Sequence, residues 1–412
     1  MTSLLKPLTL AAILFAAILA PAAAQHDAPL TLAEAIELAL RANPALRAAA
    51  SEVAAKDGAL AQAKALPNPE LEVLREGQRR ERRATTAQLS IPFELGGKRA
   101  ARADAAREER GLAALALADL RVQVRADTSA AFYELAAAIE RHRMDQELAA
   151  LAARAAEAAA KRVEAGKVSP VDETRARVAQ AGARIEVIQA ARNLESARIR
   201  LAALWGGEGA SLQIALPAGD LPPAVPLPQL AARLDQAPAM QRARAQLRHR
   251  EALAQVERTR RIPDVTLIVG ARREGLDERD QAVVGVSLPL PLFNRNQGAL
   301  LEALRRVDKA RDEEEAERVR LQSELAQAHA RLRAALEESA LIAAEILPGA
   351  ESAYRAASRG AELGKFGILD VLDAQRTLFQ SKTQYLNAAA ESHRAAADIA
   401  RLTGTSAVQE TP

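Results

Sequence analysis

Two carboxylates, Asp370 and Asp373, open a run of helix-forming residues and are the sharpest candidates for chemistry in the chain. Acidic side chains gathered at a constriction attract and select cations. A carboxylate there can equally serve the helix, whose first turn leaves N–H groups unpaired and carries partial positive charge. The residues alone favour that capping role for Asp370, as for Asp172 in a matching turn. The two turns are the second candidate group, with Arg162 and Gly166 in one and Gly364 and Lys365 in the other. Each glycine can end a helix in the left-handed conformation while its turn also meets a partner.

Other chemistry finds little support. The five histidines (His26, His142, His249, His329, His393) lie far apart, and none pairs with another at metal-ligand spacing. The absence of Cys excludes disulfides, thiolate metal sites and an N-terminal lipid-bearing cysteine. No nucleophile motif or dinucleotide fingerprint occurs, and no further glycine turns Gly96-Gly97 into a phosphate loop. The expectation is a protein that is not an enzyme, with no cofactor and no resident metal.

Whatever these residues do, long helices must position them. Of 412 residues, 49% are hydrophobic but only 2% aromatic, so apolar contacts fall to Ala, Leu and Val. Such side chains make thin helix–helix seams. Lys and Arg total 56 against 53 Asp and Glu, interleaved along the chain, which is the pattern of solvated helix faces and excludes nucleic acid as the expected partner. The basic run Arg79 to Arg83 reads as a solvated loop.

Residues 1–24 read as a signal peptide: Lys6, an apolar stretch from Leu8 to Ala20, and small residues Ala22 to Ala24 before Gln25. That stretch is short for a bilayer span, and charges interrupt every later apolar run. Entry into a membrane would have to use strands.

The remainder reads twice. Ser90-Ile91-Pro92-Phe93 matches Ser287-Leu288-Pro289-Leu290, Gly166-Lys167 matches Gly364-Lys365, and Leu204-Trp205-Gly206 matches Leu402-Thr403-Gly404. The spacing is about 198 residues each time, the mark of internal duplication. The first repeat is expected over 25–215 and the second over 229–404, with a Pro-rich linker at 216–228 and a flexible tail at 405–412. Each repeat opens with an Ala-rich helix, Leu32 to Leu66 with a break at Asn43-Pro44, and Leu230 to Arg261. A hairpin of strands comes next, about 70–75 with 84–92 and about 264–272 with 281–290. Their connections, Glu76 to Arg83 and Arg273 to Asp280, are charged as solvent loops should be. Long helices complete each repeat, about 97–164 and 170–205, then about 297–363 and 368–403. The first would reach on the order of 100 Å at about 1.5 Å per residue. Heptad positions (Leu117, Val124, Ala131; Val171, Val178, Ile185; Leu372, Phe379, Leu386) predict side-by-side packing, and Pro348 predicts a break or kink. Trp205 reads as a packing residue at a helix end.

The predicted class is mainly α with a small β part, a duplicated helix–β-hairpin–long-helix–helix repeat. Four strands with free edges are too few to close in lipid, where small barrels start at about eight strands. Subunits pooling strands would solve this. The segments IPFELGGKR from Ile91, LPLPLFNRNQG from Leu288 and ILDVLDAQRTLF from Ile368 resemble those of TolC-type outer-membrane factors, and LGGKR with LFNRNQG most resembles the CzcC-like branch serving cation and heavy-metal efflux. The resemblance implies a homotrimer with a twelve-stranded outer-membrane β-barrel continued by a periplasmic α-helical barrel. It implies a periplasmic adaptor (membrane fusion) protein at the tip turns, with Arg162 to Gly166 as the RxxxG motif, an inner-membrane RND pump, and surrounding outer-membrane lipid. Asp370 and Asp373 match two aspartates at the family's constricted entrance, where three chains would project carboxylate rings. TolC has Tyr and Arg partners near that entrance where this chain has Ala361 and Phe366, so closure would rest on packing or on the Asp rings. The implied function is passive export, with metal cations as first cargo and a multidrug or type I secretion channel as alternatives. A periplasmic coiled-coil scaffold without a channel is the alternative of another class.

Overall fold

A computed structural model describes residues 29–77, 83–209, 212–216, 221–274 and 280–405. The stretch read as a signal peptide, with Gln25 and His26, the tips of both charged loops, part of the Pro-rich linker and the tail from residue 406 lie outside the described residues.

Helix ends obey local chemistry. Thr31 opens α1 (Leu32–Ala42) through a capping box: its Oγ1 accepts the Glu34 N–H at 3.3 Å while Glu34 Oε2 accepts the Thr31 N–H at 2.8 Å. Asn43 then opens α2 (Pro44–Lys64), with Oδ1 accepting the Leu46 N–H at 3.1 Å. A proline at the first helical position loses no helical hydrogen bond. The second repeat uses the same device where the sequence reading runs one helix from Leu230. There α5 (Leu227–Ala231) and a short turn at Leu234–Gln236 precede α6 (Pro238–Thr259). Pro238 has no N–H to donate backwards, so the helix restarts at it.

The strands β1 (Glu70–Glu76), β2 (Ala84–Phe93), β3 (Val265–Glu274) and β4 (Asp280–Ser287) form one antiparallel sheet in that order. The β2–β3 pairing, from Ala84 opposite Glu274 to Phe93 opposite Val265, fuses the hairpins of the two repeats. Alternation gives the sheet two unlike faces. The register aligns Leu71, Leu89, Val269 and Val284 in one exposed apolar row. The neighbouring row on the opposite face reads Glu72, Gln88, Gly270 and Val283. At Gly270 a Cβ would stand 2.4 Å from the Ala87 carbonyl oxygen, so only glycine allows the strands this approach. β4 stops at Ser287 rather than 290, because Pro289 cannot donate to a ladder.

From the sheet, α3 (Lys98–Glu164) runs 67 residues without interruption, and α4 (Pro170–Ala203) returns. In the second repeat α7 (Gln297–Leu341) passes through a π-helical turn (Ile342–Ile346) into α8 (Leu347–Glu362), and α9 (Ile368–Thr403) returns. The break or kink predicted at Pro348 is replaced by this π turn. Closed by the Leu347 N–H donating to the Ile342 carbonyl, it precedes the proline, and the helix continues. Near the sheet, α2, α3, α6 and α7 lie side by side in that order; lower down the order is α4, α3, α9 and then α7 with α8. The seams are thin and Ala-rich, with larger knots where Phe132 and Leu135 meet Leu194 and Leu201, and where Leu321, Leu325 and Leu332 meet Ile399 and Leu402.

One expected seam is corrected. Val124, Leu372 and Phe379 are buried as heptad packing predicts, but Val171, Val178 and Ile185 on α4 are exposed. The buried stripe of α4 is instead Ala176, Ala183, Ala190 and Ala197. Small side chains let α4 lie close to α3, which turns its larger apolar stripe outward.

Candidate functional site

The candidate residues gather at the end of the helices farthest along α3 from the sheet. Both turns close by one device. Gly166 (φ 67°) donates to the Val163 carbonyl at 2.9 Å and Lys167 to the Arg162 carbonyl at 2.8 Å. Gly364 (φ 74°) donates to the Ala361 carbonyl at 3.1 Å and Lys365 to the Gly360 carbonyl at 2.8 Å. This paired closure requires the left-handed residue that glycine supplies without strain. The helix-ending role of both glycines is therefore real, and Arg162, Gly166, Gly364 and Lys365 are all exposed beside it. Packing brings the turns together: Leu369 of α9 lies against Ala156 and Ala159 of α3 and Ala176 of α4. Beside the first turn, Lys161 Nζ donates to Glu157 Oε1 at 2.7 Å, and this bond lowers the carboxyl pKa and raises that of the lysine.

The helices leaving the two turns are capped differently. Ser169 caps α4, its Oγ accepting the Val171 N–H at 3.2 Å. α9 begins after Gly367, which has no side chain, and the Asp370 carboxylate reaches back to accept the Gly367 N–H at 2.8 Å. The capping role read for Asp370 is thus present, and one carboxylate oxygen remains beyond that bond. Asp370 and Asp373 are exposed, and with Thr377 and Gln380 they head one polar stripe of α9, while Val371, Leu372 and Gln375 are buried. Side chains three and four apart share a helix face, so the two acids point the same way.

Sequence reasoning missed two features here. Phe366 seats on Gly360: a Cβ on that glycine would stand 2.0 Å from the ring. The signal was available, since a glycine inside a helix costs stability and calls for a packing reason. The second feature is a cavity of about 470 Å³ in the tip-side half of the wall, where α3, α4 and α9 meet. Arg141, Asp145, Glu186 and Arg376 line it, and Arg141 pairs with the buried Asp145 at 3.3 Å and with Glu186 at 3.7 Å. In sequence these residues look like any solvated helix face.

The histidines stay dispersed. His329 Nε2 lies 3.1 Å from the Val225 carbonyl, His393 stacks on Tyr133 at 3.5 Å, and burial pushes His249 below its ordinary value. Among the described residues no group of three His, Cys, Asp or Glu side chains could hold a metal ion. No described helix is long and apolar enough to cross a membrane.

Comparison with known proteins agrees with this architecture. A family model described as outer membrane efflux protein matches residues 35–207 and 229–405, one match per repeat. The chain is 46% identical over 379 residues to the cobalt-zinc-cadmium resistance protein CzcC of Cupriavidus metallidurans, covering 91% of this chain and 90% of that protein. It is 30% identical to the nickel and cobalt resistance protein CnrC of the same organism, covering 71% of each. Among solved structures, CusC, described in terms of transmembrane channel formation, superposes with a TM-score of 0.75 at 18% identity, covering 91% of this chain and 92% of that one.

Proposed function

The chain belongs to the outer membrane efflux protein family, and from that premise we propose that three copies form one conduit through which divalent metal cations pass outward. The observation that carries this reading is the set of surfaces one chain leaves open. β1 and β4 are edge strands, each with one row of backbone groups unpaired among the described residues. In lipid such edges must close. The exposed row Leu71, Leu89, Val269 and Val284 suits hydrocarbon, and the ten residues of β2 fit the ~9–11 that a membrane strand needs. At the other level, α4 carries Val171, Val178, Ile185 and Ile199 exposed at multiples of seven. Each such side chain contributes about 1.5–3 kcal/mol when buried.

Both open surfaces are of the same kind: α4 at one side meets α7 and α8 at the other, and β4 meets β1. A contact between unlike surfaces closes into a ring when the rotation closes, and three sheets of four strands give a twelve-stranded barrel. The polar sheet face then lines the lumen, with the helices as a periplasmic tube below it. The tip turns, with Arg162, Gly166, Gly364 and Lys365, meet a periplasmic adaptor that links the tube to an inner-membrane RND pump. Asp370 and Asp373 form carboxylate rings at the entrance and favour cations. The contribution is geometric and electrostatic, with energy supplied by the pump.

Metal cargo rests on the resistance proteins that the chain resembles. The test is growth of a strain lacking this gene on zinc, cobalt and cadmium and on lipophilic drugs. Loss of metal tolerance alone supports the reading. Loss of drug tolerance alone assigns the conduit to drug efflux, the alternative cargo.

A further inference from the structure

The polar stripe that Asp370 and Asp373 head does not stay acidic. Along α9 it continues through Arg376, Gln380 and Gln384, all exposed and spaced three or four apart, so they share one side of the helix. Leu386 and His393 stand on the opposite side, where Leu216 and Leu221 of the linker join them around one cavity. The flanks of α9 belong to α3 and to the α7–α8 helix. In a tube one helix thick, a linker running inside would obstruct the bore. The side that carries the linker is therefore the outer one, and the stripe from Asp370 to Gln384 faces the lumen of the proposed tube.

Arg376 stands one turn, about 4.5 Å, beyond Asp373. It forms no ion pair or hydrogen bond among the described residues. The acids that line the same cavity are already engaged, since Arg141 reaches Asp145 at 3.3 Å and Glu186 at 3.7 Å. With two guanidiniums and two carboxylates the cavity is balanced in charge, and Arg376 supplies half of the positive side. The equivalent residue of α4 is Val178, on the exposed apolar stripe, so the charge has no counterpart in the first repeat.

We infer that Arg376 is a specificity-determining residue of the conduit: its three copies end the acidic zone set by Asp370 and Asp373 and weaken the hold of that zone on divalent cations. Conduction needs binding strong enough to admit an ion and weak enough to release it. Six carboxylates around one constriction meet the first demand, and for a doubly charged ion they endanger the second. A ring of guanidiniums one turn further in repels a doubly charged ion twice as strongly as a singly charged one, because the Coulomb energy scales with the ion's charge. The residence of divalent cargo is thereby shortened, while monovalent ions are less affected. The inference rests on the conduit reading and names what limits the hold on its cargo.

The test is single-channel recording in potassium chloride with cobalt(II) added on the tip side, read as the half-blocking concentration. Arg376→Gln should lower that concentration by on the order of five- to tenfold, the effect of three charges about 10 Å from the ion at ordinary ionic strength. Arg376→Lys should match the unaltered protein, since charge rather than guanidinium geometry carries the effect. Gln380→Lys adds a charge one turn further along the stripe and should raise the half-blocking concentration, which keeps the test available should Arg376→Gln assemble poorly. Equal block in the unaltered protein, Arg376→Gln and Gln380→Lys overturns the inference and leaves the conduit. Arg376→Lys blocking as Arg376→Gln does also overturns it. An unaltered protein that forms no channel removes the conduit and the inference together.

Discussion

The helices α4 and α9 hold equivalent places in the two repeats, yet they use their apolar side chains differently. α9 lies between α3 and the α7–α8 helix, and its Leu372 and Phe379 are buried inside the chain. α4 packs chiefly on α3, touches α9 only near the tip, and turns Val171, Val178 and Ile185 outward. The difference separates two kinds of seam that share one heptad spacing: one is buried within the subunit, and the other is the surface that the proposed neighbouring copy would cover. Phe379→Ala should therefore destabilise the subunit itself, by about 3–5 kcal/mol as core aromatic truncations do. Denaturant unfolding reads this. Val178→Asp with Ile185→Asp should leave subunit helicity intact by circular dichroism while abolishing the proposed trimer, measured as particle mass in detergent. Equal loss of helicity in both variants would erase the distinction.

The tips sharpen the same comparison. Arg162 in the first turn corresponds to Gly360 in the second, and Arg175 in α4 corresponds to Asp373 in α9. The second repeat thus gains a seat for Phe366, and its second acid, Asp373, shares a helix face with Asp370 where α4 has the adjacent pair Asp172 and Glu173. It also carries the π turn above them, where α3 runs uninterrupted. Gly360→Val should unseat Phe366 at a cost of about 1–3 kcal/mol, read as faster hydrogen exchange in α8 and the start of α9. Arg162→Val should leave its turn unchanged. Asp370→Ala and Ser169→Ala should each cost about 1 kcal/mol by removing a cap, and Asp373→Ala should cost less than either. The smallest effect is a pH dependence. Burial holds His249 below its ordinary value of 6.5. The folded chain then favours the neutral ring, so stability is full above that value and declines as pH falls through the lower folded value. His249→Gln should flatten unfolding free energy as pH falls below the ring's ordinary value of 6.5.

Much of this was legible in the sequence. Duplication, helix breaks and strand alternation are local or periodic signals, and they foretold the repeat order, Asn43 as a break and the two faces of the sheet. The tip glycines were legible because few residues adopt their conformation. Which face of α4 is buried was not. Heptad spacing names a stripe without naming its partner, and alanines at Ala176 and Ala183 look weaker than Val178 until close approach to α3 is known. The Ala237-Pro238 restart was hidden because an Ala-rich stretch reads as continuous helix. The charged cavity around Asp145 was hidden because it is assembled from three helices distant in sequence.

The central claim is that chains pool their strands into one conduit whose entrance prefers cations. Single-channel recording in planar bilayers tests it most directly, comparing the purified protein with Asp370→Asn and Asp373→Asn combined. The account predicts uniform conductance steps with a cation-selective reversal potential that moves toward neutrality in the double variant. Absence of any steps, or a reversal potential indifferent to both acids, would contradict it.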